Sequence, residues 1–121
     1  AEPSRIINDK MRAATSSDTV RYRWRTGKHS RQLRSTWTDA WEKQGPDPLP
    51  MPLQSMLSEP ALGTVEKLAQ GGHEGAAQLA TYWVGQGVGL MNQAMSATAV
   101  VQSFKEDYLT AVERLMSTVE E

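Results

Sequence analysis

The sequence has no cysteine, which excludes disulfide bonds and thiolate chemistry. This absence fits a reducing compartment, and we expect a cytoplasmic protein. Histidine is also scarce. Neither His29 nor His73 has a carboxylate at metal-ligand spacing, and no Ser-His-Asp arrangement can be argued from them. We therefore predict no metal site and no catalytic residue within this segment.

Long apolar runs are missing as well. No stretch reaches the roughly 18 residues of a membrane span, and no secretory leader is visible, so we expect no membrane partner. The chain has 121 residues, of which 39% are hydrophobic, and this is enough for one compact domain. It begins at Ala1 without a methionine, which fits a processed or cut amino terminus.

Charge is distributed unevenly along the chain. Residues 1–34 hold nine of the 13 Lys and Arg residues but three of the 14 Asp and Glu residues, so the rest of the chain is acidic. Such asymmetry can mark a site for an anionic partner. Alternatively, the two parts face each other, or both face the rest of a larger protein.

Hydrophobic periodicity predicts a mainly helical amino-terminal half with one short strand. A helix over residues 4–14 is capped by Ser4, and residues 19–26 alternate as a strand. An amphipathic helix follows over residues 30–43, with Ser30 as its cap. No second strand is predicted, so the strand needs a partner from outside the chain to satisfy its backbone. This is the first indication that the chain is incomplete.

The second half begins with a proline-rich connector. Residues 45–52 hold four of the six prolines, and this predicts an extended segment laid over a surface, with Leu49, Met51 and Leu53 buried. Beyond it, four helices are predicted, the first two separated by Pro60: residues 53–58, 61–70, 73–82 and 96–119. The last is a long amphipathic helix.

Two local patterns could carry chemistry. Gly85, Gly87 and Gly89 form a G-x-G-x-G run, which suits either backbone approach to a ligand or close packing of the chain. Its spacing and its helical context differ from the dinucleotide fingerprint, and the residues alone favour packing.

The second pattern, over residues 21–25, alternates arginines with aromatic rings. Cations and rings together are typical of nucleic-acid binding, but strict alternation places them on opposite faces, so we expect no nucleic-acid partner. The alternative is a small nucleic-acid or anion-binding module using the following residues: Arg21, Arg23, Arg25, Lys28, Arg31 and Arg34. A third reading is a helical protein-interaction module using the face of residues 101–119.

Two blocks of sequence resemble a known enzyme family. One comprises Asp18-Thr19-Val20, Arg25-Thr26-Gly27 and Arg31-Gln32-Leu33-Arg34, and the other is Trp83-Val84-Gly85-Gln86-Gly87-Val88-Gly89-Leu90. Their order and distances are similar to the carboxy-terminal portion of the nitronate monooxygenase (2-nitropropane dioxygenase) family. The likeness covers about residues 3–119. This chain departs from the family pattern at Ser35, where asparagine is usual.

The resemblance implies a fragment of an FMN-dependent oxidoreductase with a (β/α)8 barrel. Residues 1–95 would form its helical region, with the short strand and the connector, and residues 96–121 would be the terminal barrel helix. The amino-terminal FMN barrel would be missing from this chain and would be its partner. The Arg31/Arg34 block would tie the helical region to that barrel.

The resemblance also implies a cofactor site. Gly85, Gln86 and Gly87 would lie beside the flavin of FMN, with Gln86 at a flavin carbonyl and the glycines giving the ring room. The substrate would be a small molecule: an alkyl nitronate, a quinone or an enoyl thioester. The oligomeric state stays open, and the fragment alone is expected to be inactive.

Overall fold

A computed structural model describes residues 4–119 of the chain. The chain is mainly helical, with one small sheet, and its helices and strands are α1 Arg5–Ala13, β1 Thr19–Tyr22, β2 Ser30–Leu33, α2 Thr36–Gln44, α3 Leu53–Gln70, α4 Glu74–Leu79 and α5 Ala97–Val119. Short 3-10 turns span Ser16–Asp18 and Gln86–Leu90. None of the helices within residues 4–119 combines the length and apolar character needed to cross a lipid bilayer.

Helix α1 confirms the prediction for the start of the chain. The Ser4 hydroxyl accepts a hydrogen bond from the Ile7 amide at 3.4 Å, as expected of an N-cap. Ile7 is fully buried and anchors the helix. The amide of Ala14 then closes the helix on the Met11 carbonyl.

The prediction of a single strand is wrong. Strand β1 pairs antiparallel with β2, which places Thr19 opposite Leu33 and Tyr22 opposite Ser30. The helix predicted over residues 30–43 therefore begins only at Thr36. Strand β1 therefore has its partner within the chain, and an unpaired strand no longer indicates that the chain is incomplete.

The cap of α2 is the physical reason for this difference. Ser35, rather than Ser30, caps the helix: its hydroxyl accepts from the Thr38 amide, and the Thr38 hydroxyl accepts from the Ser35 amide at 2.9 Å. This reciprocal box satisfies amides at the helix start, which leaves residues 30–33 free to pair with β1. Ser35 thus serves as the N-cap of α2, a position at which asparagine is equally favourable.

The strand predicted over residues 19–26 is also shorter than expected. It ends at Tyr22 because the chain turns there: the Gly27 amide donates to the Arg23 carbonyl at 2.7 Å, and Gly27 has a φ of +87°. Positive φ is readily available to glycine, so Gly27 closes the hairpin turn.

Helix α3 is continuous, which corrects the prediction of two helices separated by Pro60. Proline removes one amide donor inside a helix and usually breaks it. Here one face is buried on both sides of the proline, with Ser58 before it and Leu62 after it. Burial along this face holds the two halves in one helix.

The remaining elements follow the predictions more closely. Helix α4 is shorter than predicted but starts where expected, because the His73 ring accepts from the Ala76 amide at 3.1 Å. Helix α5 matches its predicted range within one residue at its start. The connector over residues 45–50 has no regular structure, but Leu49, Met51 and Leu53 are all exposed, so their predicted burial is wrong within this chain.

The buried core is small. Ala14, Leu33 and Val88 form its centre, with Met11 and Val84 packed against it. It joins α1, β2 and the glycine-rich segment. Helix α5 has no buried residue within its described length.

Candidate functional site

The glycine-rich segment is positioned by strand β2. The Leu33 amide donates to the Tyr82 carbonyl at 3.0 Å, and the Val84 amide donates to the Arg31 carbonyl at 3.2 Å. Gln32 and Trp83 form an antiparallel bridge between these bonds. The segment entering the glycine run therefore lies antiparallel along β2, joined to it by an isolated bridge.

Gly89 fixes the other end of this segment. A β-carbon on Gly89 would lie 2.7 Å from the Ser16 amide nitrogen, much closer than two such atoms can approach. Val88 beside it is completely buried. Close packing, which the residues alone favoured for the glycine run, explains the glycine at this position.

Gly85 and Gly87 have no such explanation among the described residues 4–119. A β-carbon on Gly87 would meet no atom within 4 Å, and one on Gly85 would meet only the Gly87 amide at 3.9 Å. Gly85, Gln86 and Gly87 are all exposed. The three predicted cofactor-binding residues thus form a surface loop, and its two glycines are not required for packing against the described residues.

Arg25 lies beside this segment, whereas the sequence indicated it as part of a basic face and of the family-like block. Its guanidinium carbon is 4.4 Å from the centre of the Trp83 ring. Its Nε and Nη2 donate to the two carboxylate oxygens of Glu59 at 2.7 and 3.1 Å. Arg25 is buried, whereas the Glu59 side chain is 43% exposed. One cation therefore joins the hairpin turn, α3 and Trp83.

The backbone of the hairpin turn is held by the same helix. The Ser58 hydroxyl donates a short hydrogen bond to the Arg25 carbonyl, and the Gln54 amide donates to the Trp24 carbonyl at 2.6 Å. Both side chains are buried. Helix α3 therefore fixes the position from which Arg25 reaches Trp83.

Replacing Glu59 by glutamine should destabilise the protein by about 2 kcal/mol. The substitution leaves the buried Arg25 cation without its carboxylate, which costs about 3–5 kcal/mol in a fully buried pair and less here because Glu59 is partly solvated. Urea denaturation would measure the loss. The matched control is Asp9→Asn, which breaks the exposed pair with Arg12 and should cost under about 0.5 kcal/mol. Equal losses in the two variants would contradict this role of Arg25.

The basic residues of the hairpin do not form one continuous face. Arg34 pairs with Asp39 at 2.8 Å and Glu42 at 3.4 Å, and its hydrogen bond to Asp39 raises the pKa of the guanidinium. Arg25 is turned toward Glu59. A nucleic-acid surface built from all six predicted residues is therefore not assembled in this fold.

The aromatic rings of the hairpin stack within the chain. Tyr22 and Trp24 lie 4.0 Å apart between ring centres, and Trp24 lies 6.2 Å from Trp41. Partial burial and a hydrogen bond with Glu42 raise the pKa of Tyr22. The aromatic side chains of the strand predicted over residues 19–26 therefore pack against α2 of the same chain and not against a missing barrel.

Helix α5 presents an exposed apolar surface. Its large hydrophobic side chains are exposed along its whole length: Val100, Val101, Phe104, Tyr108, Leu109, Leu115, Met116 and Val119. Contiguous apolar patches of this kind mark contact surfaces. The exposed apolar side chains of α5 therefore indicate a contact surface, whereas strand β1 has its partner within the chain.

Comparison with known proteins links the chain to an oxidising enzyme. It is 47% identical over 122 aligned residues to a protein of Mycobacterium tuberculosis named "Putative monooxygenase Rv1533". The match covers 99% of this chain but 32% of that protein, so the chain spans about a third of its relative's length. No family model matches the chain, and no solved structure matches it.

Proposed function

We propose that the chain is the carboxy-terminal part of an FMN-dependent oxidoreductase that oxidises alkyl nitronates. The observation that carries this proposal is the exposed loop Gly85-Gln86-Gly87, whose two glycines have no packing role in the chain. The similarity to a monooxygenase three times its length supports an oxidoreductase. The nitronate substrate is proposed from the resemblance of the two sequence blocks to the nitronate monooxygenase family.

The loop fits one side of a flavin ring. Missing β-carbons at Gly85 and Gly87 leave the backbone open to a flat ring, and the exposed Gln86 amide can donate to or accept from a ring carbonyl. Bound flavin supplies the electron-transfer chemistry, while the protein orients substrate and tunes the ring. The role of this chain is then to bind the cofactor's edge, with Arg25 and Trp83 holding the loop's entrance in place.

Helix α5 provides the contact with the remainder of the enzyme. We propose that its apolar side chains pack against the amino-terminal FMN barrel, as the terminal helix of that barrel. Burying such a face is favourable by roughly 25 cal/mol per Å² of apolar surface removed from water. The helical body over residues 4–95 would then sit over the barrel and bring Gln86 to the flavin.

Replacing Gln86 by leucine should weaken FMN binding to the full-length protein about five- to tenfold. The substitution removes one hydrogen bond to the ring, which contributes about 1 kcal/mol, and keeps a side chain of similar size. Quenching of flavin fluorescence on titration would measure the dissociation constant. Gln78→Leu on α4 is the control, since Gln78 is exposed there and lies outside the loop. Identical affinities in both variants would remove Gln86 from the site.

The reaction is tested by oxygen uptake with the full-length, flavin-loaded protein. Addition of propane 2-nitronate should cause oxygen consumption, whereas NADH or NADPH with a quinone should cause little oxidation of the nucleotide. The reverse pattern would replace nitronate oxidation by nucleotide-linked reduction and keep the flavoenzyme. Absence of both activities would contradict the proposed function.

A further inference from the structure

Two arginines face each other across the β1–β2 hairpin. Arg21 is directly opposite Arg31 in the antiparallel register, and residues in such positions share one face of the sheet with β-carbons about 4.5–5.5 Å apart. Like charges at this distance repel and destabilise a hairpin unless a counter-charge lies between them. The pair therefore needs an explanation beyond the fold.

No carboxylate within residues 4–119 supplies that counter-charge. Arg25 is paired with Glu59, and Arg34 is paired with Asp39 and Glu42. Neither Arg21 nor Arg31 forms an ion pair in the described part of the chain. Glu59, Asp39 and Glu42 are thus committed to other arginines, and the Asp18 carboxylate accepts hydrogen bonds from Thr15.

Arg31 is held in place before any ligand arrives. Its Nη1 donates to the Thr19 hydroxyl at 2.7 Å, and that hydroxyl in turn donates to the Ser16 carbonyl at 3.0 Å. Thr19 is buried, and Arg31 is half-buried. This arrangement orients one guanidinium group and leaves its remaining N–H donors available beside the exposed Arg21.

We propose that Arg21 and Arg31 bind a phosphate group carried by a small molecule. Two guanidinium groups provide planar, paired donors that match phosphate oxygens, and a divalent anion offsets the repulsion between them. The site is short because Arg23 folds back on the turn, with its Nε donating to the Gly27 carbonyl at 3.2 Å. A polyanion such as nucleic acid needs a longer basic track than this pair offers. The site does not depend on flavin binding.

Titration calorimetry with inorganic pyrophosphate tests the proposal on the full-length protein. We expect the wild-type protein to bind pyrophosphate with an affinity that falls as salt increases. The double variant Arg21→Gln/Arg31→Gln should lose at least about tenfold in affinity, because a hydrogen bond from a charged group contributes more than a neutral one. Arg5→Gln/Lys43→Gln removes the same charge from two exposed positions outside the hairpin and should change affinity less than about twofold.

A second arm uses a 20-nucleotide oligothymidylate and separates the small-molecule site from a nucleic-acid surface. Equal weakening of pyrophosphate binding in both double variants would overturn the proposal. So would a wild-type protein that binds the oligonucleotide but not pyrophosphate, and that loses the oligonucleotide when Arg21 and Arg31 are replaced. Circular dichroism of the double variant checks that the hairpin still folds. If it does not, the single variant Arg21→Gln decides, because the Arg21 side chain is exposed and holds no other element. Flavin content is measured separately, so failure of either proposal leaves the other intact.

Discussion

Replacing Gly27 by alanine is expected to destabilise the protein by about 3 kcal/mol. Gly27 has a φ of +87°, which costs an alanine roughly 1–2 kcal/mol. Its added β-carbon would also lie 2.5 Å from the Leu49 carbonyl oxygen and 2.6 Å from the Met51 amide nitrogen. Both are backbone atoms, so the connector itself must shift, which costs about 1–3 kcal/mol more. Urea denaturation would measure the difference.

Gly72 provides a matched control for the backbone conformation alone. Its φ of +90° is nearly that of Gly27, but a β-carbon there would meet no atom within 4 Å. Gly72→Ala should therefore cost about 1 kcal/mol, the conformational part of the loss. Equal losses of stability in both variants would contradict the close contact between the connector and Gly27 of the hairpin turn.

Replacing Phe104 by alanine should destabilise the full-length protein but have almost no effect on the stability of the 121-residue chain. Phe104 is 68% exposed on α5, so its removal from the 121-residue chain should change the free energy of unfolding by less than about 0.5 kcal/mol. In the full-length protein, the proposed contact with the barrel would bury the ring, and its loss should cost about 3 kcal/mol. Chemical denaturation of both forms measures the contrast.

Gln102→Ala, two residues earlier on α5 and exposed, serves as the polar control and should have a small effect in both forms. A Phe104→Ala effect equally small in both forms would mean that α5 stays uncovered in the complete enzyme. A large effect in the short chain that grows with protein concentration would instead support the interaction-module reading, with α5 joining copies of the chain.

The elements that the sequence predicted well are those with local signals. Ser4 caps α1 through its own hydroxyl, and the apolar stripe of α5 specifies a helix without help from other segments. Strand β2 was missed because its signal is not local. Residues 30–33 become a strand through pairing with β1 and with Trp83, while the Ser35 cap delays the helix. Pairing between distant segments leaves little trace in periodicity.

The candidate site was predicted in part for the same reason. Gly85, Gln86 and Gly87 are contiguous, so a sequence motif could single them out, and their contact with a flavin stays a prediction. Arg25, Glu59 and Trp83 are brought together only by the fold, and the alternation around Arg25 indicated a basic face instead. From sequence alone, a buried arginine within a basic run cannot be distinguished from a solvent-exposed arginine in the same run.

The number of FMN molecules bound per polypeptide tests the proposed function most directly. Absorption spectra and equilibrium dialysis should be compared for the full-length protein and for the 121-residue chain. We expect about one FMN per full-length polypeptide, and weak or no binding to the chain alone, which offers the flavin one exposed loop. A full-length protein without affinity for FMN, or tight stoichiometric binding by the 121 residues alone, would contradict this account.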